Sequence, residues 1–547
     1  MKFVSCLLTV VLGTTAGDWA QSPQYTNPIL VPDAWPDYGI GDPFVLRFDG
    51  TYYLYSSTKD GRPGVRVWTS TNLVDWAFRG LAASDPSTTG AYGPEVILYE
   101  GWFWMATSPA GTGHRFSRAR SPLGPFEPFT DNLGMTIDGS FFVDEGGNLL
   151  FYHASDRGIL AHRLGPEGLP GPEILLEGTR MGHWTEGPFV FRRGEHWFLG
   201  MTGNHVLSAG YRENYAVSDQ GPLGPFVQPE NNPLVIHTTG EFRGLGHGSV
   251  VTGPDLVSTW LVYHNLEGES AEGPPVRSYD LDRLVFNGRR LEILGPTHYG
   301  RPLPEGPDRI VQAEPTSTPG LALDAQAAPD QFTAEATVRA LSDGGGLVWA
   351  AVGPGSYCRL RFEKETRRAL VERVTGSETR VFETKALLPS FDFDAPHLLR
   401  LEPRGQGMVL TIDSGTPVPV PSPTAGALGW WDPVGTLAPG FTAWTAGSPD
   451  QSDLRVVHPL PGRLQGIHGT DQPRAPVSGW AGGLALGEPQ PLGYDIQVPT
   501  PGTWGLRALV RGARPGPISV QVDGNPVPVT PPMASAPEGN EGWTLVD

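Results

Sequence analysis

Five segments in the first half of the chain follow one pattern, and that repetition limits the possible folds more than any other feature. They read GDPFVLRFDGTYYLYSS from Gly41, GPEVILYEGWFWMATS from Gly93, IDGSFFVDEGGNLLFYHAS from Ile137, TEGPFVFRRGEHWFLGMTG from Thr185 and GHGSVVTGPDLVSTWLVYHN from Gly246. Each is a short apolar run, a turn rich in Gly, Asp or Glu, and a second run dense in aromatics, which together signal two strands and a tight turn. The copies begin roughly 45 to 60 residues apart, a length that suits a four-stranded propeller blade. SPLGPF at Ser121 and GPLGPF at Gly221 recur in the second and fourth copies, an independent mark of repetition. Five copies over about residues 24–304 predict a five-bladed β-propeller, closed by RSYDLDRLVFNGRRLEIL from Arg277. The innermost strand of each blade lines the central channel, so residues at one register of those strands converge on the axis.

At that register the copies carry ionisable groups. Eight residues before the turn glycines Gly50, Gly146 and Gly194 stand Asp42, Asp138 and Glu186, and His247 opens the equivalent strand of the fifth copy. The second copy has Gly93 there, with its carboxylate two residues inward at Glu95, which gives Glu95 a binding role. Pro43 biases Asp42 toward extended geometry. Glu186 lies between Trp184 and an apolar strand, where desolvation would raise its pKa as a general acid requires. Singly, each acid reads as a turn or edge residue; three at one register suggest one site built by symmetry. Paired carboxyl groups flanking a glycosidic bond are the equipment for its hydrolysis, and a third can tune the acid.

The rest of the composition is consistent with an all-β fold. Gly 72 and Pro 56 in 547 residues leave no run with helical apolar periodicity, and 10% aromatics argue against disorder. The net charge of −19 repels phosphate backbones and anionic membrane surfaces. Neither nucleic acid nor a membrane is an expected partner; a monomer acting on a neutral carbohydrate is. Residues 1–20 read as a secretory signal peptide, with Lys2, an apolar core from Phe3 to Leu12 and small residues after it, so a secreted protein is expected. Loss of that segment removes Cys6 and leaves Cys358 with no disulfide partner. Residues 21–305 form the propeller. From 306 to 457 alternating strands such as FTAEATVRAL and HLLRLEPRGQGMVLTID predict a β-sandwich, and 458–547 resembles a small jelly-roll.

With these motifs in view, the chain resembles glycoside hydrolase family 43 over about residues 26–304. NPIL…GIGDPFVLRFDGTYYLYSS is similar to that family's opening, IDGSFFVDEGGNLLFYH to its second acidic motif, and TEGPFVF to its third. The resemblance implies Asp42 as general base, Asp138 as the residue that tunes the acid, and Glu186 as general acid. GPEV matches the family's second-blade pattern with Gly93 in place of alanine. LGHGSVV resembles the fifth-blade segment whose histidine, here His247, helps hold a calcium ion in many members; the chemistry itself requires no cofactor. An arginine at the place of Arg277 often reaches the substrate in that family. Inversion of configuration is implied, with base and acid roughly 6.5–9.5 Å apart. The following segment looks like the concanavalin-like sandwich that accompanies such propellers, and the last module loosely like a carbohydrate-binding one.

Five aromatics near the motifs are candidates to stack on sugar: Trp35, Tyr38, Tyr92, Trp102 and Trp184, with Trp102 and Trp184 the preferred pair. The reading is a secreted glycosidase acting on arabinose- or xylose-containing plant polysaccharides. Two alternatives stand beside it. One is a non-catalytic sugar-binding propeller. The other is a fructan-acting enzyme, disfavoured because Gly41-Asp42-Pro43-Phe44 lacks the flanking asparagines of that group.

Overall fold

The computed structural model describes residues 23–453 apart from 239–241, 268–275, 312–319, 406, 416 and 422–424, together with Leu8–Thr14 and six short strands between Val457 and Val546. Five antiparallel sheets carry the repeats. The first blade is Phe44–Phe48, Thr51–Tyr55, Val65–Ser70 and Ala77–Ala83 in sequence order. The second opens with Ala91–Tyr99, the third with Ser140–Val143, the fourth with Thr185–Arg193 and the fifth with Arg243–Thr252. The fourth blade has three described strands and the others four. The opening strand of each blade touches that of the next, and the fifth touches the first, so the ring is closed.

Alternation explains why these runs are strands. In Thr51–Tyr55, Tyr52 and Leu54 are buried while Thr51 and Tyr53 are half-exposed, the period of two that one packed face requires. Blade packs on blade through five separate apolar clusters. Phe48, Tyr55 and Val67 meet Phe103 and Met105 between blades one and two, and Val45, Leu54 and Trp68 meet Trp260 and Tyr279 between one and five. A fully buried ring such as Phe103 or Phe151 contributes about 1.5–3 kcal/mol by leaving water. The recurring PLGPF loops are latches between blades: Tyr55 Oη donates to Pro122 O at 2.5 Å and Tyr152 Oη to Pro222 O at 3.0 Å.

Closure differs from the expectation. The segment from Arg277 supplies the third and fourth strands of the last blade, Val276–Asn287 and Arg290–Ile293. The N-terminal segment completes the ring, through bridges Ile29–Tyr279 and Gly39–Arg277 and the pairing of Gln24–Tyr25 with Arg301–Pro302. An isolated hairpin end cannot close a ring; chain from the far side of the junction must pair with it.

Two six-stranded sheets follow, one spanning Arg309–Ile310 to Val418–Val420 in sheet order, the other Gly320–Ala328 to Glu378–Ala386. Their inner faces share one core containing Trp349, Phe362, Leu399 and the free Cys358, so the β-sandwich is present. It docks on the propeller through a buried ion pair, Arg47 Nε to Glu335 at 3.0 Å. Most of residues 458–547, read as a jelly-roll, lie outside the described residues. The apolar run read as a leader lies at the middle of a five-stranded sheet here: Leu8–Thr14 pairs in parallel with Gln490–Gln497 and Ile518–Val522. Thr9, Val10 and Val11 are β-branched, which suits that pairing. Among the described residues no helix is long and apolar enough to cross a membrane.

Candidate active site

The five opening strands enter the channel with the same backbone device. Asp42, Gly93, Asp138, Gly187 and His247 all have left-handed φ, at 51°, 48°, 60°, 55° and 47°. Each stands two residues before the first regular ladder pair of its blade, Phe44–Tyr55, Glu95–Ala106, Ser140–Tyr152, Phe189–Gly200 and Ser249–Val262. Aspartate and histidine tolerate this conformation better than most residues. Two expectations are corrected by it. Asp42 is left-handed and not extended, despite Pro43. Glu186 does not occupy the shared register; Gly187 does, and an irregularity between Glu186 and Phe189 shifts the acid one place outward.

The side chains converge nonetheless. His247 Nδ1 is 3.1 Å from Asp42 Oδ1 and 3.9 Å from Asp138 Oδ2. Asp138, Glu186 and His247 place one ligand-type atom each within 4.8 Å of the others. Arg277 Nη1 donates to Asp42 Oδ1 at 2.6 Å, Ser57 Oγ donates to Asp42 Oδ2 at 2.5 Å, and Asp42 N donates to His264 Nδ1 at 3.2 Å. These contacts over-determine a backbone conformation that would otherwise be strained. Glu186 accepts from Tyr211 Oη and from Trp184 Nε1, each at 2.5 Å. Gly187 N donates to Asp138 Oδ2 at 3.3 Å.

The surroundings push the carboxyl groups in opposite directions. Burial alone would raise Asp42, but the Arg277 guanidinium, then His247 and His264, and the Ser57 hydrogen bond hold it well below the usual carboxylate range. Burial dominates at Asp138, pushed up to about 7 against the pull of His247, with Glu186 and Asp42 adding to the rise. Glu186 is likewise raised by burial, opposed by His247 and by the hydrogen bonds from Tyr211 and Trp184. Burial would lower His247, yet the three carboxyl groups raise it. The site thus holds one firmly ionised carboxylate beside two carboxyl groups that burial raises.

Glu95 reaches the same channel. It accepts from Phe141 N at 2.7 Å and Ser140 Oγ at 2.9 Å, and burial pushes it up to about 8 despite them. Of the five aromatics, only Trp184 hydrogen-bonds one of the three clustered carboxyl groups. Tyr38 lies under the Arg277 guanidinium, Trp35 is stacked on Arg62 and Arg66, and Tyr92 Oη donates to Asp60. Trp102 is not brought to the site: it pairs with Tyr99 at the far end of the second-blade hairpin, its ring covered by the guanidinium of Arg120 at 3.5 Å. Packing of a basic side chain on the outside of the blade took that tryptophan.

Sequence reasoning missed Ser57, Thr202, Tyr211, Glu213 and His264. Thr202 Oγ1 accepts from His247 N and donates to Glu213, which also accepts from Gly248 N. A signal existed. Ser57, Ser108, Ala154, Thr202 and His264 stand two residues past the same ladder pairs, so four of the five repeats carry a polar residue at that register too.

As a calcium site the cluster fits poorly. It offers two carboxylate oxygens and one imidazole, whereas calcium takes about 6–8 oxygens. The Arg277 guanidinium already supplies positive charge 2.6 Å from Asp42.

Two glycines admit Arg277. A Cβ on Gly41 would stand 2.0 Å from its guanidinium carbon, and one on Gly39 would stand 1.9 Å from its carbonyl oxygen. Gly41→Ala is expected to lower kcat about tenfold or more by displacing the guanidinium from Asp42, a loss comparable to other misplacements of catalytic groups. Steady-state kinetics beside a Tm check this: wild-type kcat with a wild-type Tm would show that the close approach is dispensable.

A propeller whose channel gathers three buried carboxyl groups, one ionised and two raised, defines a site of the propeller glycosidase class. Residues 25–288 match the family model described as Glycosyl hydrolases family 43, and the chain belongs to that family. A non-reducing end alpha-L-arabinofuranosidase of Bacteroides ovatus is 26% identical over 285 residues, 48% of this chain and 52% of that protein. A xylan 1,3-beta-xylosidase of a Vibrio species is 26% identical over 259 residues, 41% and 47% of the two chains. A solved structure of a thermostable family-43 glycoside hydrolase is 30% identical, covering 52% of this chain and 99% of that one with a TM-score of 0.47. The chain spans about half the length of the curated relatives it matches.

Proposed function

We propose that this protein is an inverting glycoside hydrolase that releases arabinose or xylose units from plant-wall polysaccharides or their oligosaccharides. The observation that carries the reading is the split within one cluster: Asp42 held ionised, Glu186 raised beside it. The sugar class rests on the relatives, which are named for arabinofuranoside and xyloside cleavage. Export rests on the leader-like pattern of residues 1–20.

In this mechanism Glu186 gives its proton to the glycosidic oxygen as the bond to the anomeric carbon breaks. Water on the opposite face forms the new bond and loses its proton to Asp42. Solvent then reprotonates Glu186 and deprotonates Asp42. Arg277 and Ser57 fix both oxygens of Asp42, so the base needs no reorientation. Tyr211 and Trp184 do the same for Glu186. Asp138, buried close by, raises Glu186 further once it is ionised. Glu95, protonated at neutral pH, donates a hydrogen bond to a sugar oxygen.

Hydrolysis of aryl α-L-arabinofuranoside and β-D-xyloside tests the reading, and absence of turnover on both would favour a binding propeller. The pH profile carries a further prediction. Above about pH 7, where Asp138 is itself ionised, Asp138→Asn removes a negative neighbour from Glu186, so the glutamate ionises more readily. The alkaline limb of kcat/KM is therefore expected to move to lower pH; an unmoved limb would remove Asp138 from its tuning role.

A further inference from the structure

A second group of side chains lies on the third blade, outside the channel. His153 ends Leu149–His153, His162 lies diagonal to it on the neighbouring strand Leu160–Arg163, and Glu173 precedes Ile174–Leu175. Both imidazoles are buried, 2% and 7% exposed, with rings nearly parallel and their Nε2 atoms 3.1 Å apart.

His162 Nδ1 is 2.9 Å from the Gly171 carbonyl, which can only accept, so in the neutral ring Nδ1 carries the hydrogen and Nε2 a lone pair. His153 Nδ1 lies 3.2 Å from the Ala154 carbonyl and 2.7 Å from the Thr136 hydroxyl. With Nδ1 donating to that carbonyl, His153 Nε2 is free to ligate as well. The 3.1 Å between the two Nε2 atoms is close to the about 3.3 Å that separates two imidazole nitrogens on tetrahedral zinc. A carboxylate oxygen of Glu173 lies within 4.8 Å of both ligand atoms.

We propose that His153, His162 and Glu173 form a binding site for a divalent transition metal of the zinc class, with its fourth position open to solvent. Two nitrogens and one oxygen select zinc over calcium. The Nδ1 donations to backbone carbonyls are the support that orients such ligands. Glu173 is exposed, its other contact being a surface ion pair with Arg157, and it opens a path for the ion. The bound ion would tie together the second, third and fourth strands of the blade.

The test uses the full chain, stripped with chelator and titrated with zinc chloride by calorimetry and with cobalt chloride by visible absorption. One ion per chain is expected, with a rise in Tm on adding zinc. Glu173→Gln and His162→Gln are each expected to weaken zinc binding about tenfold or more. Glu173 is exposed, so its variant folds and decides the matter even if His162→Gln does not. His247→Ala, in the channel, should bind zinc as the wild type does. Absence of saturable binding by the wild type, unchanged affinity in Glu173→Gln, or loss of binding in His247→Ala would overturn the site.

Discussion

Glu186→Gln lowers kcat for an arabinoxylan oligosaccharide by about 10²–10⁴-fold, the usual contribution of a positioned general acid. The same variant loses far less on a dinitrophenyl glycoside, whose leaving group departs without a proton. This contrast separates an acid from a residue that merely binds sugar, for which both substrates would suffer equally. The variant should also keep its Tm. Burial raises Glu186 toward its neutral form, so an uncharged amide of the same shape replaces it at little cost: its oxygen accepts from Trp184 Nε1, and its NH2 donates to the Tyr211 hydroxyl, which can also accept. Parallel kinetics on the two substrates, with a melting curve, check all three statements.

Asp42→Asn has the opposite signature. A general base acts whatever the leaving group, so in the proposed role both substrates should lose about 10²–10⁴-fold. Here the Tm should fall. Asp42 is the anionic partner of Arg277 in a buried pair, and removing one charge from such a pair leaves the other uncompensated, at about 3–5 kcal/mol. Chemical denaturation beside the kinetics measures both. Full stability in Asp42→Asn would mean that Arg277 finds its counter-charge elsewhere, and retained activity would remove Asp42 from the chemistry.

Much of this architecture was legible because a propeller repeats its physics. Each blade needs one turn and one aromatic-rich strand to pack on its neighbour, so the glycines at Gly50 and Gly194 and the rings at Tyr52, Phe103 and Phe198 announced the blades. Asp42 and Asp138 were legible by register for the same reason. Glu186 was found by a count that hid its displacement: the bulge before Phe189 is a backbone irregularity, and no residue count reports one. Arg277 reaches Asp42 across 235 positions of sequence, and only a family resemblance pointed to it. Trp102 misled because its spacing near a motif says nothing about which end of the strand meets the channel. The ring closure by Ile29 and Gly39 was invisible for a related reason, since single bridges leave no periodicity.

The opposite shifts of Asp42 and Glu186 become a stereochemical statement once water attacks from the face opposite the leaving group. Proton NMR of the first sugar released from an aryl α-L-arabinofuranoside or β-D-xyloside, recorded before mutarotation, reads it directly. The account predicts the anomer of inverted configuration as the initial product, with Asp42 acting through water. An initial product of retained configuration would contradict it and make a carboxylate of this cluster a nucleophile.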